Sequence, residues 1–189
     1  MNCKNTMIIS AFPACGKTYL YRNQKTLLFK TEPNKLEPLS FLDSDSSKFN
    51  KTDDWEKRYV DHIESKLGTV DFLFISQHDG VLHELSNRGI PFVVVVPNNL
   101  HWEDESKRML IKQQWFGRFV LRDNSHIKDL DRWMKLLKDN YDDWTSLENI
   151  EKHKPVEFFV LEENQYLKDI IMDLYVKKEY HPDIYCFHK

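Results

Sequence analysis

The 189-residue chain is 41% hydrophobic and 30% charged, the balance of an ordinary globular domain with enough apolar surface for a sheet covered on both faces. Its net charge of −3 gives no general attraction to nucleic acid or acidic membranes, although 27 Lys and Arg leave room for a local basic groove. Three scattered cysteines, Cys3, Cys15 and Cys186, argue against a disulfide framework, and no window approaches the roughly 18 to 20 apolar residues of a membrane span. The expectation is a cytoplasmic protein without a membrane partner.

Five short runs are apolar at nearly every position, as parallel strands buried on both faces require. The first is Thr6 to Ser10, and the second, Leu39 to Asp43, ends in "FLDSDSSKF". A helix follows, with Trp55, Tyr59, Val60, Ile63 and Leu67 on one face after an Asp53/Glu56 pair at capping-box spacing. The third run, Val70 to Ser76, precedes a helix over Asp79 to Arg88 that Gly89 stops before the fourth run, Pro91 to Val96. The charged, aromatic segment from Trp102 to Asn124 predicts a helical lid. Ile127, Leu130, Met134, Leu137, Tyr141 and Trp144 then keep helical spacing behind Ser125 as N-cap. The fifth run, Val156 to Leu161, leads to a closing helix marked by Tyr166, Leu167, Ile170, Ile171 and Leu174. This alternation predicts one α/β domain over 1–189, a three-layer α/β/α sandwich built from right-handed crossovers.

Between the first strand and its helix lies Ala11-Phe-Pro-Ala-Cys-Gly-Lys-Thr18. It fits the phosphate-loop spacing G-x-x-x-x-G-K-[ST] except for Ala11 at the first position. Amides of Cys15, Gly16, Lys17 and Thr18 are placed to curl round a phosphate at the positive end of a helix, with Pro13, Ala14 and Tyr19 completing the binding stretch. Lys17 would reach the β- and γ-phosphates, and the Thr18 hydroxyl would ligate Mg²⁺. Gly16 is the glycine that close phosphate approach requires, whereas a methyl group at Ala11 is a small addition. Cys15, at a helix N-terminus, is expected to carry a thiol of lowered pKa whose alkylation abolishes nucleotide binding and is blocked by Mg·ATP.

Strand, loop and helix at this position, with four further strands, resemble the nucleoside/nucleotide kinase-like branch of P-loop proteins. The stretches "FLDSDSSKF", "WFGRFVLRDN", "NYDDW" and "QYLKD" are also similar to small phage and bacterial P-loop proteins, among them phage kinases acting on hydroxymethyluracil in DNA. The resemblance implies a five-stranded parallel sheet in the order 2-3-1-4-5, with an Arg-bearing lid after the fourth strand. It also implies an Asp at the end of the third strand to hold Mg²⁺ through water, where this chain has Ser76. Either Ser76 substitutes weakly, or Asp79, His78 or the Asp43/Asp45 pair takes the role.

Asp43 and Asp45 stand where the second strand should end, beside the loop, and are candidates for the base that activates an attacking hydroxyl. Asp43 is the first choice. Arg118 and Arg122, four apart on one helix face of the lid, would neutralise the transferring group. Trp102 and Trp115 are candidates to stack a base, and Gly117 to act as a hinge or a close packing point. His181, Cys186 and His188 make a weak zinc pattern. The reading is an ATP- or GTP-using, Mg²⁺-dependent kinase acting on a nucleoside, nucleotide or nucleic-acid acceptor. The alternative is a nucleotide-binding regulatory protein with little turnover.

Overall fold

The computed structural model describes residues 4–100, 103–121 and 130–187. In chain order its strands are β1 (Met7–Ala11), β2 (Phe29–Glu32), β3 (Lys35–Glu37), β4 (Phe41–Asp43), β5 (Phe72–Ile75), β6 (Val93–Pro97) and β7 (Glu157–Leu161). Five of them form one all-parallel sheet in the order β4-β5-β1-β6-β7. The three inner strands read MIISA, FLFI and VVVVP and are buried at every residue. That is why they carry no apolar–polar alternation.

Helices flank the sheet: α1 (Lys17–Asn23), α2 (Trp55–Lys66), α3 (Asp79–Asn87), α4 (Glu105–Leu121), α5 (Leu130–Trp144), α6 (Leu147–Glu151), α7 (Leu167–Tyr180) and α8 (Pro182–Tyr185). Each turns an apolar stripe inward: Tyr59, Val60 and Ile63 from α2, Val81, Leu82 and Leu85 from α3, Leu167, Ile171 and Leu174 from α7. Gly89 takes φ 64 just past α3, the left-handed stop expected of it. Among the described residues no helix is long and apolar enough to cross a membrane.

Several local expectations change. α2 opens at Asp54 in a left-handed conformation with no side-chain cap, so the Asp53/Glu56 box does not form. The Arg58 guanidinium instead ties the turn by donating to the carbonyls of Asp53 and Asn50 and to Thr52 Oγ1. A β2–β3 hairpin, absent from the sequence reading, packs Phe29 edge-on against Phe41 at 5.9 Å. A Cβ at Gly117 would meet nothing within 4 Å, so close packing is not its role. Arg122, Trp102, Ser125, Ile127 and His188 lie outside the described residues.

Because the sheet is parallel, Ala11, Asp43, Ile75, Pro97 and Leu161 all end their strands on one edge. The opposite, amino edge is closed by its own polar groups. Asp71 accepts from Lys4 Nζ (2.8 Å), Ser40 N–H (2.8 Å) and Ser40 Oγ (2.6 Å), and Cys186 pairs antiparallel with Met7. Asp71, just before β5, is therefore a structural residue.

Candidate functional site

Ala11 is fully buried and its φ is not positive, so the chain leaves β1 without needing a glycine there. Phe12 N–H donates to Val95 O at 2.9 Å and fixes the exit. The turn itself uses left-handed backbone at Ala14 (φ 66) and Gly16 (φ 103). Gly16 adopts that conformation without strain, whereas at Ala14 the Cβ crowds the following carbonyl, at a cost of about 1–2 kcal/mol. No side chain caps α1, so the amides of its first turn have no acceptor within the helix, and their dipoles sum towards the mouth of the loop. Lys17 Nζ folds over the same mouth, donating to Ala11 O and, at 3.2 Å, to Phe12 O.

Two elements brace the loop from outside. The Trp115 indole N–H donates to Pro13 O at 2.6 Å, and Leu167 N–H donates to Cys15 O at 2.9 Å. The Phe12 ring lies edge-on to Trp115 and Tyr141. Segment 105–121, expected to be part of a lid, is a helix whose Ile111, Trp115 and Phe119 are buried. Trp115 is thus occupied as an anchor rather than presented to a base.

Arg118 lies with its guanidinium 4.6 Å from the Trp115 ring centre and 4.0 Å from that of Tyr166, donating to Gln165 O at 2.8 Å. This stack stands beside Gly16, where an added Cβ would lie 3.7 Å from the Tyr166 side chain. A cleft of about 320 Å³ opens next to it, lined by Gly16, Tyr19, Tyr166 and Lys168. Tyr166 and Lys168 were missed as site residues from sequence, although "QYLKD" had singled out their stretch.

The Cys15 expectation is overturned. Its side chain points into the core with Sγ 3.9 Å from Val95 O, and burial pushes the thiol up to about 12 despite the positive charges of Lys17 and Arg118. A helix N-terminus lowers a thiol pKa only when the sulfur faces the dipole in a partly open site.

On the other side of the loop Thr18 Oγ1 donates to Asp43 Oδ2 at 2.7 Å, joining the start of α1 to the end of β4. Asp45 accepts the Ser47 amide at 2.9 Å and so caps the Ser46–Lys48 turn. Ser46 Oγ meets His78 Nε2 at 3.0 Å. His78 is pushed down to about 4 by burial and by the charges of Lys51 and Lys17, and is neutral at pH 7. Ser76 is in contact with the Tyr59 phenol, which also donates to Ser44 O at 2.5 Å. Asp79 is drawn away from the loop by Lys152 (2.9 Å) and His153 (3.2 Å). Of the three candidates to replace the carboxylate missing at Ser76, only the Asp43/Asp45 pair places one against Thr18.

Thr18 and Asp43 offer a hydroxyl and a carboxylate oxygen side by side. A hard divalent ion that takes one or two protein oxygens and keeps its other waters fits such a pair. Buried polar oxygens without a partner among the described residues are Ser10 Oγ, Ser44 Oγ, Gln77 Oε1, Asn99 Oδ1 and Tyr141 Oη. The first four lie at or just beyond strand ends on this edge, and Tyr141 packs against Phe12. Comparisons with protein-family models, curated proteins and solved structures give no match to this chain.

Proposed function

We propose that the protein is an ATP- and Mg²⁺-dependent phosphotransferase of the P-loop type, a kinase with a nucleoside, nucleotide or nucleic-acid acceptor. The observation that carries the reading is the Thr18–Asp43 hydrogen bond at the lip of a strand–loop–helix unit whose Gly16 is left-handed. Counted in chain order without the β2–β3 hairpin, the five sheet strands lie 2-3-1-4-5, which supports the same reading and its three-layer form.

In this reading the α1 amides and Lys17 would bind the β- and γ-phosphates, and Thr18 and Asp43 would hold the metal. Mg²⁺ supplies neutralisation of the charge on the transferring oxygens. Asp43 or Asp45 accepts the proton of the attacking hydroxyl. Arg118, held on Tyr166, would face the nucleotide from that side, and the cleft between Tyr19 and Tyr166 would take the base of ATP or GTP. Arg122 would join Arg118 over the transferring group.

Transfer from γ-labelled ATP to pooled nucleosides, nucleotides and oligonucleotides tests this. Labelled product is expected, and Asp43→Asn should lower its rate by about 10²- to 10⁴-fold. Mg·ATP binding with no transfer to any acceptor would leave the second reading, a nucleotide-binding regulator, which Ser76 in contact with Tyr59 favours.

A further inference from the structure

From Thr18, one wall of side chains follows the Asp43 side of the loop. It passes from Thr18 to Asp43, then from Ser46 to His78, whose ring stands edge-on to Trp55 at 5.3 Å, and ends at Lys51. Lys51 Nζ sits 3.2 Å from the centre of the Trp55 ring and makes no ion pair with any described residue. Of the carboxylates near this wall, Asp43 takes the Thr18 hydroxyl and Asp45 the Ser47 amide, while Glu56 attracts Lys51 without forming an ion pair with it. His78, felt electrostatically by both Lys17 and Lys51, is neutral and adds no charge between them.

We propose that Lys51, laid on the Trp55 face, grips a phosphate group carried by the acceptor, so that the acceptor is a nucleotide or a nucleic-acid strand rather than a free nucleoside. The proposal rests on the kinase reading, because it takes the acceptor to lie along the Asp43 side of the loop. An ammonium on an aromatic face has lost part of its water, and the ring quadrupole replaces that hydration incompletely. Although Lys51 is exposed as a residue, partial desolvation of its amine pushes it down to about 8, against the pull of the Glu56 and Asp45 carboxylates. A phosphate oxygen would supply the strong acceptor that this ammonium lacks among the described residues, at the other end of the wall from the loop proposed to take the donor phosphates.

Competitive acetylation of the full chain, read lysine by lysine by mass spectrometry, tests this. The arms are a non-hydrolysable Mg·ATP analogue alone, then with a nucleoside pool, with the matched 5′-monophosphates, or with a short oligonucleotide. Lys51 acetylation should fall by about tenfold in a phosphate-bearing arm and stay unchanged with nucleosides, the difference one charge-assisted hydrogen bond makes. The monophosphate and oligonucleotide arms tell the two acceptor sources apart. No protection of Lys51 in either, or equal protection by nucleosides, overturns the proposal. Failure of the ATP analogue to protect Lys17 counts against the kinase reading and leaves the Lys51 readout legible. As a second measurement, Trp55→Leu, checked for folding by its melting curve, should raise the Lys51 reactivity pKa towards that of an ordinary lysine. An unchanged value would mean that the ring does not set the state of this amine.

Discussion

The two edges of one sheet treat their aspartates differently. At the amino edge Asp71 takes three protein donors within 2.8 Å, and the nearly buried Lys178 lies 3.8 Å from its other oxygen. Burial alone would raise this carboxyl, but Lys4 and the two Ser40 donors overcome it and hold it below the ordinary carboxylate value. At the carboxyl edge Asp43 meets the Thr18 hydroxyl beside a left-handed loop, and unpaired buried oxygens follow the ends of β4, β5 and β6. Polar groups that close on one another hold a fold together. Buried oxygens without a partner among the described residues leave hydrogen-bonding capacity unused, and the left-handed Ala14 lies on that same edge.

Substitutions can break this contrast. The largest expected effect is kinetic: Asp43→Asn should lose transfer as above while its melting temperature stays within about 2 °C of the parent. A drop of 10 °C would make Asp43 a structural residue like Asp71. Next, the Cys15 thiol should react with a disulfide reagent at pH 8 more than about a thousandfold slower than a free cysteine, because burial keeps it protonated. Fast labelling would mean that the loop interior is open.

Asp71→Asn should do the reverse of Asp43→Asn. Lys178 keeps its ion pair with Glu179 but loses the facing charge of Asp71, and Lys4 loses its partner, at a cost of about 2 kcal/mol, or roughly 4–8 °C in melting temperature. Nucleotide binding well below the melting point should be unaffected. The smallest effect is in pH dependence. His78 stays neutral down to about 4 in the folded chain, while an unfolded histidine protonates near its ordinary 6.5. The unfolded state therefore binds the extra proton first, and stability should decline as pH falls from about 6.5 to about 4. His78→Gln should flatten that part of the melting-temperature profile, and an unchanged slope would place the histidine in water.

The strands were legible because burial on both faces writes a continuous apolar run, as VVVV does in β6. The loop was legible because Gly16, Lys17 and Thr18 stand consecutively at the strand-to-helix turn, where Gly16 takes a left-handed φ of 103. The β2–β3 hairpin was not, since FKTE and KLE bury little and carry no run to read. The gap at Ser76 showed in the sequence, but the Thr18 partner on Asp43 depends on two elements 25 residues apart meeting at 2.7 Å. Cys15 failed for a related reason. Its place in the motif was plain, while the direction of its side chain, into β6 rather than the loop mouth, is set by tertiary packing. Spacing likewise paired Arg118 with Arg122 on one face and gave no sign that Tyr166 would stack on the former.

The most direct measurement is the melting temperature of the protein with and without saturating Mg·ATP, set beside the Lys17→Met variant. At a hundredfold excess over its dissociation constant, a bound nucleotide should add about 2.7 kcal/mol, raising the parent's melting temperature by roughly 5–10 °C. The variant, lacking the ammonium that folds over the loop mouth, should shift by less than about 2 °C. No shift in the parent, or an equal shift in the variant, would contradict a phosphate-binding loop at residues 11–18.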